Sequence, residues 1–200
     1  MCQLVESLRI ENYCMYHIGL HNKRFNQARK ALFGKTDYIH LEDQITIPDQ
    51  INNQRYKCRV VTNGEEITTE IAPYIQRNIT TLKVVHMNDI DYSYKLLNRN
   101  LLDKAFEVRG KCDDIIIIKN NMVTDAWAAN LIFFDGEKWI TPSTPLLKGI
   151  QREYLLSTGK ITEQPILVSE IMNFKKIKLI NAMIDFERAS EIDVPSGVIY

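Results

Sequence analysis

The chain has 200 residues, 45% of them apolar, and its 25 basic and 25 acidic side chains cancel. That size and composition suit one large or two small globular domains, and the absence of net charge or a long basic run argues against a nucleic-acid backbone as partner. No apolar stretch is long enough to cross a bilayer, and the start MCQLVESLRIENYC lacks the parts of a signal peptide.

In chain order, CQLVESLRI alternates as a strand, and LHNKRFNQARKALFG spaces Leu20, Phe25, Ala28, Ala31 and Leu32 for a helix that Gly34 stops. RYKCRVVT, EEITTEIAP and TTLKVVHM read as three strands, with Asn63-Gly64 as a hairpin turn because the pair supplies positive φ cheaply. MNDIDYSYK has loop character, which places a domain boundary near residues 86–95: a small N-terminal α+β domain over 1–90 and a C-terminal α+β domain over 91–200. A helix follows from about Asn98 to Val108. DDIIIIKNNMVTDAWAANLIFFDGEKWIT then alternates strands with turns at Asn120-Asn121 and Asp135-Gly136. GIQREYLLSTG is a short helix ending at Gly159, and FKKIKLINAMIDF reads as a strand continuing past a local break. The four cysteines, Cys2, Cys14, Cys58 and Cys112, lack CxxC spacing. That argues against a zinc site and a disulfide scaffold, and for a reducing compartment, by default the cytoplasm.

One set of residues fits the needs of pyridoxal phosphate. An amine must form a Schiff base with the aldehyde, and Lys95 lies in a loop flanked by Tyr92 and Tyr94. A carboxylate must keep the pyridine nitrogen protonated, and Asp125 stands beside a strand edge. A phosphate wants amide hydrogens at a helix start and a cation. Gly149, Ile150 and Gln151 open a helix, and Arg24 and Asn181 are further candidate donors.

The order of these segments resembles that of the fold-type IV pyridoxal-phosphate family: branched-chain aminotransferases, D-amino-acid aminotransferases and 4-amino-4-deoxychorismate lyases. TDAWAANLIFF, DGEKWITP and LLKGIQR follow its run of an acid, an Asn with a hydrophobic pair, a Thr-Pro and a Gly-Ile-x-Arg. YKLLNR at 94–99 looks like the lyase branch's segment around the Schiff-base lysine. LHNKRF at 20–25 is similar to the His-x-x-Arg segment whose Arg holds the phosphate, and INAM at 180–183 to a late phosphate-binding strand end. The matches run from about residue 5 to residue 185. The resemblance implies a two-domain class IV aminotransferase architecture, D-amino-acid aminotransferase-like, with the cofactor between α+β domains, and a homodimer acting on an amino-acid-like substrate. Two departures stand out: Asp125 replaces the family's Glu, about one ångström shorter in reach, and the architecture reads as shortened at the N-terminus, since the segment matching VESLRI starts almost at Met1 and the residues that precede it in relatives help shape the substrate side.

Each site residue also has a plainer reading. Lys95 competes with a solvated loop lysine, and Lys104 is the rival amine, on an exposed helix face. Asp125 is equally a turn residue; Asn130 is read as fixing the strand edge, and Arg152 as structural. His21 packs or caps near Arg24, and Asn181 is either a strand-end turn or a phosphate donor. Arg9 and Arg59 lie on predicted strands, where an inward guanidinium could bind a substrate carboxylate or snorkel to solvent; Arg59 is retained as a substrate-binding candidate. Trp127 and Trp139 are simplest as core aromatics. The expected activity is that of a pyridoxal-phosphate lyase forming 4-aminobenzoate and pyruvate. The alternatives are a branched-chain or D-amino-acid aminotransferase, a catalytically weak cofactor-binding protein, and a small interaction domain.

Overall fold

The structure, a computed structural model, describes residues 2–200. The chain divides into two compact units, Met1–Gln76 with Tyr94–Asn98, and Arg77–Ser93 with Arg99–Tyr200.

In the first unit β1 (Leu4–Glu11), β2 (Cys14–Met15), β3 (Tyr56–Thr62) and β4 (Ile67–Pro73) form an antiparallel sheet ordered β2-β1-β3-β4, and α1 spans Ile18–Phe33. β1 alternates, so Leu8 and Ile10 share one face. With Cys58 and Val60 of β3 they pack against Phe25 of α1 to make the core. Helix α1 stops at Gly34, which is left-handed at φ 68° and donates its N–H to the Lys30 carbonyl.

The β3–β4 hairpin corrects one expectation. Thr62 pairs with Ile67, so the loop has four residues rather than two. Among the non-glycine residues with positive φ Asn63 does not occur; only Gly64 turns left-handed, at φ 98°. Asn63 acts through its side chain instead, Oδ1 accepting from the amides of Glu65 and Glu66. The two-residue turn lies elsewhere: Asn120 and Asn121 both have positive φ, and Lys119 pairs directly with Met122.

In the second unit β5 (Leu82–His86), α2 (Asn100–Glu107) and β6 (Asp114–Lys119) form a parallel β–α–β crossover. Next come β7 (Met122–Val123), β8 (Asn130–Phe134), β9 (Trp139–Pro142), α3 (Ile150–Ser157), β10 (Thr162–Gln164), β11 (Lys176–Ile180), β12 (Ile192–Asp193), α4 (Val194–Gly197) and β13 (Val198–Ile199). They build a five-stranded sheet, β10-β9-β8-β11-β12, and a four-stranded one, β13-β5-β6-β7. Ile115–Ile118 are fully buried, as a central parallel strand covered on both faces requires. Each contributes about 1.5–3 kcal/mol by burial.

Two further boundaries differ from the sequence reading. β5 hydrogen-bonds to β6 and β13, so residues 77–93 pack with the second unit rather than ending the first at residue 90. β11 does not continue past its break: it ends at Ile180, and Asn181 pairs back onto Ile184 in a tight turn.

Candidate functional site

In the first unit the candidate residues gather on β1 and α1. Leu4, Glu6, Leu8 and Ile10 alternate onto the face that α1 covers, so Glu6 puts a carboxylate where the pattern calls for an apolar side chain, and it is only 2% exposed. Arg24 meets it side-on, Nε donating to Oε1 at 2.8 Å and Nη2 to Oε2 at 2.6 Å. His21, one turn earlier on α1, lies with Nδ1 2.8 Å from Oε2. Burial alone would raise the Glu6 pKa. The Arg24 charge and the His21 hydrogen bond outweigh it and hold the carboxyl well below the usual range. Burial lowers the His21 pKa, and the charges of Arg24 and Lys95 add to that, against the pull of Glu6.

Lys95 belongs to this unit. Its carbonyl accepts the Val5 N–H at 2.9 Å, the Leu97 N–H reaches the Gln3 carbonyl at 2.8 Å, and Leu96 bridges Leu4. Segment 94–98 is thus a strap added to the start of β1, and Lys95 is half-buried on it. Arg59 pairs with Ser7 and Glu70, which places it on the sheet face opposite Glu6, Arg24 and His21. Arg9 shares that opposite face, its guanidinium stacked 3.5 Å from the centre of the Tyr16 ring.

In the second unit Asp125 is 5% exposed. Its backbone is tied to β6 by the Ile117 N–H, 2.8 Å from the Asp125 carbonyl. Its carboxyl accepts Asn130 Nδ2 at 2.7 Å on one oxygen and the Leu147 N–H at 3.0 Å on the other. Among the described residues no cationic side chain forms an ion pair with it. Burial therefore wins, and the Asp125 pKa is pushed up to about 7 despite those hydrogen bonds and the more distant Arg152. Asn130 also donates to the Leu147 carbonyl at 2.9 Å, and a side chain at Gly149 would place its Cβ 1.9 Å from Asn130 Oδ1. Gly149 has φ −74°, open to any residue, so glycine is needed here for space. Asp125, Asn130, Leu147 and Gly149 form one linked set that seats the start of α3. Ile150 and Gln151 are buried there, in the first turn, where helix amides lack an acceptor within the helix.

Two candidates in this unit hold local structure. Arg152 donates to Thr141 Oγ1, the Pro142 carbonyl and Glu163. Asn181 Oδ1 accepts the Met183 and Ile184 amides, and Nδ2 donates to the Ala128 carbonyl. Lys104 is exposed on α2. The sequence reading missed Glu6, whose signal was a charge at an inward strand position, and the Leu147 amide, which no side-chain pattern reveals.

The donor types fit pyridoxal phosphate: an amine on a fixed strap, and a buried acid with neutral donors and, among the described residues, no cation in ion-pair contact, linked to a helix start. The sequence pattern of the amino-transferase class IV family matches residues 3–192. The chain belongs to that family. Class IV amino-transferases are pyridoxal-phosphate-dependent enzymes acting on amino-acid-like substrates, and the mixed helix and sheet architecture is theirs. A Haemophilus influenzae protein of uncharacterised function is 42% identical over 185 residues, 92% of this chain and 98% of its own. A candidate 4-amino-4-deoxychorismate lyase from Haemophilus somnus 129PT superposes with TM-score 0.84 at 32% identity, over 92% of this chain and 97% of that one. A candidate amino-acid aminotransferase from Mesorhizobium loti has the same fold, with TM-score 0.82 at 16% identity over the full length of both. No helix among the described residues is long and apolar enough to cross a membrane.

Proposed function

We propose that this class IV enzyme binds pyridoxal phosphate through Lys95 and acts as a 4-amino-4-deoxychorismate lyase, forming 4-aminobenzoate and pyruvate. The observation that carries the cofactor assignment is Asp125: a buried carboxyl held by Asn130 and Leu147, lacking a cation, with its pKa raised to about 7. A protonated ring nitrogen is the partner such a group calls for, because its charge would return the carboxyl to the ionised form. Bound pyridoxal phosphate supplies an aldehyde for amines and a ring that stores electrons. Lys95 Nζ carries the cofactor and, once released, accepts the substrate Cα proton. Asp125 orients the ring and keeps its nitrogen protonated. Arg24 and the amides of Ile150 and Gln151 at the Gly149 helix start bind the phosphate, with Asn181 as a further donor. Arg59 is the candidate for a substrate carboxylate.

The Lys-x-Leu-Asn-Arg run at 95–99 and the likeness to the Haemophilus somnus protein support the lyase over a transaminase. The test is the product. Incubation with 4-amino-4-deoxychorismate should release 4-aminobenzoate and pyruvate without an added keto acid; a strict need for a keto-acid acceptor would replace the lyase by an aminotransferase. The cofactor assignment is tested apart from turnover. Protein with pyridoxal phosphate should be yellow, borohydride should remove the band, and the reduced adduct should map to Lys95 and vanish in Lys95→Ala. A homodimer is part of the same reading, checked by the solution mass.

A further inference from the structure

Asn130 is buried where three elements meet. Its backbone opens β8 and pairs with Asp125 and with Ile180, the last residue of β11. Asn181 follows Ile180 at once, and its Nδ2 donates to the Ala128 carbonyl, two residues before Asn130. The Asn130 side chain reaches the third element, the start of α3. Nδ2 donates to Asp125 Oδ1 at 2.7 Å and to the Leu147 carbonyl at 2.9 Å. An amide nitrogen carries two hydrogens, so both are engaged. The Leu147 N–H, 3.0 Å from Asp125 Oδ2, closes a three-membered ring of bonds. On the other side Oδ1 lies so near Gly149 that a Cβ there would sit 1.9 Å from it. The amide therefore cannot turn over without setting its oxygen against two acceptors.

We propose that Asn130 is a positioning residue that holds the acid, the Gly149 helix start and the Asn181 turn at one spacing, so that a ligand with a ring nitrogen at one end and a phosphate at the other is gripped at both ends together. Each Asp125 oxygen takes one donor from the chain, and an ionised carboxylate has about four acceptor positions. The carboxyl thus keeps capacity for a ring N–H while its orientation stays fixed. The same amide that fixes it also fixes the Leu147 carbonyl, two residues before the α3 start. A rigid ligand then finds both ends in place, and neither contact is made by moving the other. Without Asn130 the acid and the helix start lose their shared support, and a ligand seated on one no longer aligns the other. Asn130 itself touches neither ring nor phosphate in this role.

The proposal rests on Asp125 and the α3 start being the two ends of the pyridoxal phosphate site, and its tests separate it from that reading. The first is a double-mutant cycle read as the dissociation constant of pyridoxal phosphate. The factor by which Asp125→Asn weakens binding should be about tenfold smaller in an Asn130→Ala background than in the native one. An equal factor in both backgrounds, with only stability lowered, would make Asn130 a purely structural residue and overturn the proposal. The second needs no cofactor: the carbon-13 NMR titration of the Asp125 carboxyl, assigned by its loss in Asp125→Asn. Asn130→Ala removes a donor to the ionised form and should raise the midpoint by about one unit; an unmoved midpoint overturns the proposal. Where Asn130→Ala does not fold, the native protein decides: the Asn130 Nδ2 hydrogens should shift with pH at the Asp125 midpoint, and static signals overturn the proposal. If native protein binds no pyridoxal phosphate, the cofactor reading falls, and the two titrations alone decide whether Asn130 governs Asp125.

Discussion

Glu6 and Asp125 are both almost fully buried, at 2% and 5% exposure, and both accept hydrogen bonds on each oxygen, yet their acidities move in opposite directions. Glu6 has a guanidinium in side-on contact and is held ionised; Asp125 has an amide side chain and a backbone N–H and is pushed up to about 7. Neutral donors satisfy lone pairs without offsetting the loss of water around a charge, whereas a guanidinium does both. The first region is electrically complete. In the second, among the described residues, no cation is in ion-pair contact with the carboxyl.

The largest expected effect tests the complete region. Glu6→Ala leaves Arg24 and His21 facing one another without a carboxylate and should destabilise the protein by about 3–5 kcal/mol, read as the loss of denaturation free energy; a change within the scatter of surface variants would mean that the cluster does not hold the fold. The second effect contrasts the two acids by pH. Asp125 is raised in the fold from an ordinary value of 3.8 to about 7, so the folded state binds more protons between those limits. Its contribution to stability is therefore present below pH 4 and falls as pH rises to 7, by up to about 4 kcal/mol. Glu6 is depressed, so its contribution is present above its ordinary value of 4.5 and is lost as pH falls below it. Chemical denaturation from pH 4 to 7.5 should show the Asp125 slope vanish in Asp125→Asn, and flatten in the native protein when pyridoxal phosphate is added. A slope unchanged by both would break the contrast.

Two smaller effects sharpen it. Gly149→Ala drives a methyl into Asn130 Oδ1 and should cost about 1–3 kcal/mol, with weaker pyridoxal phosphate binding by absorbance titration because Asp125 loses its aligned partner. Lys104→Ala, on the exposed face of α2, should change stability by no more than about 0.5 kcal/mol and leave the borohydride-fixed adduct intact.

Much of the fold is legible locally. The alternation of LVESLRIE, the unbroken Ile115–Ile118 run and the stop at Gly34 each report a periodicity or a backbone preference that acts over a few residues. The errors arise where a distant segment arbitrates. Asn63-Gly64 and Asn120-Asn121 are both turn sequences, and the register of the paired strands decided that only the second closes in two residues. The break after Ile180 became an end because the Asn181 side chain captured the next two free amides. Gly149 reads as a helix start from sequence, but its lack of a side chain is demanded by Asn130, nineteen positions earlier.

The amino-acid sequence by itself determined the strands and helices, their order, and which side chains have the chemistry for an amine, an acid and a phosphate cradle, because propensity, patterning and functional-group identity are properties of short stretches. Tertiary structure alone decided that Glu6 is shielded and compensated, that Asp125 is shielded and not, and that His21 Nε2 is sealed from solvent. Those states depend on what is removed from water and which charges come within reach, and residues far apart along the chain set both.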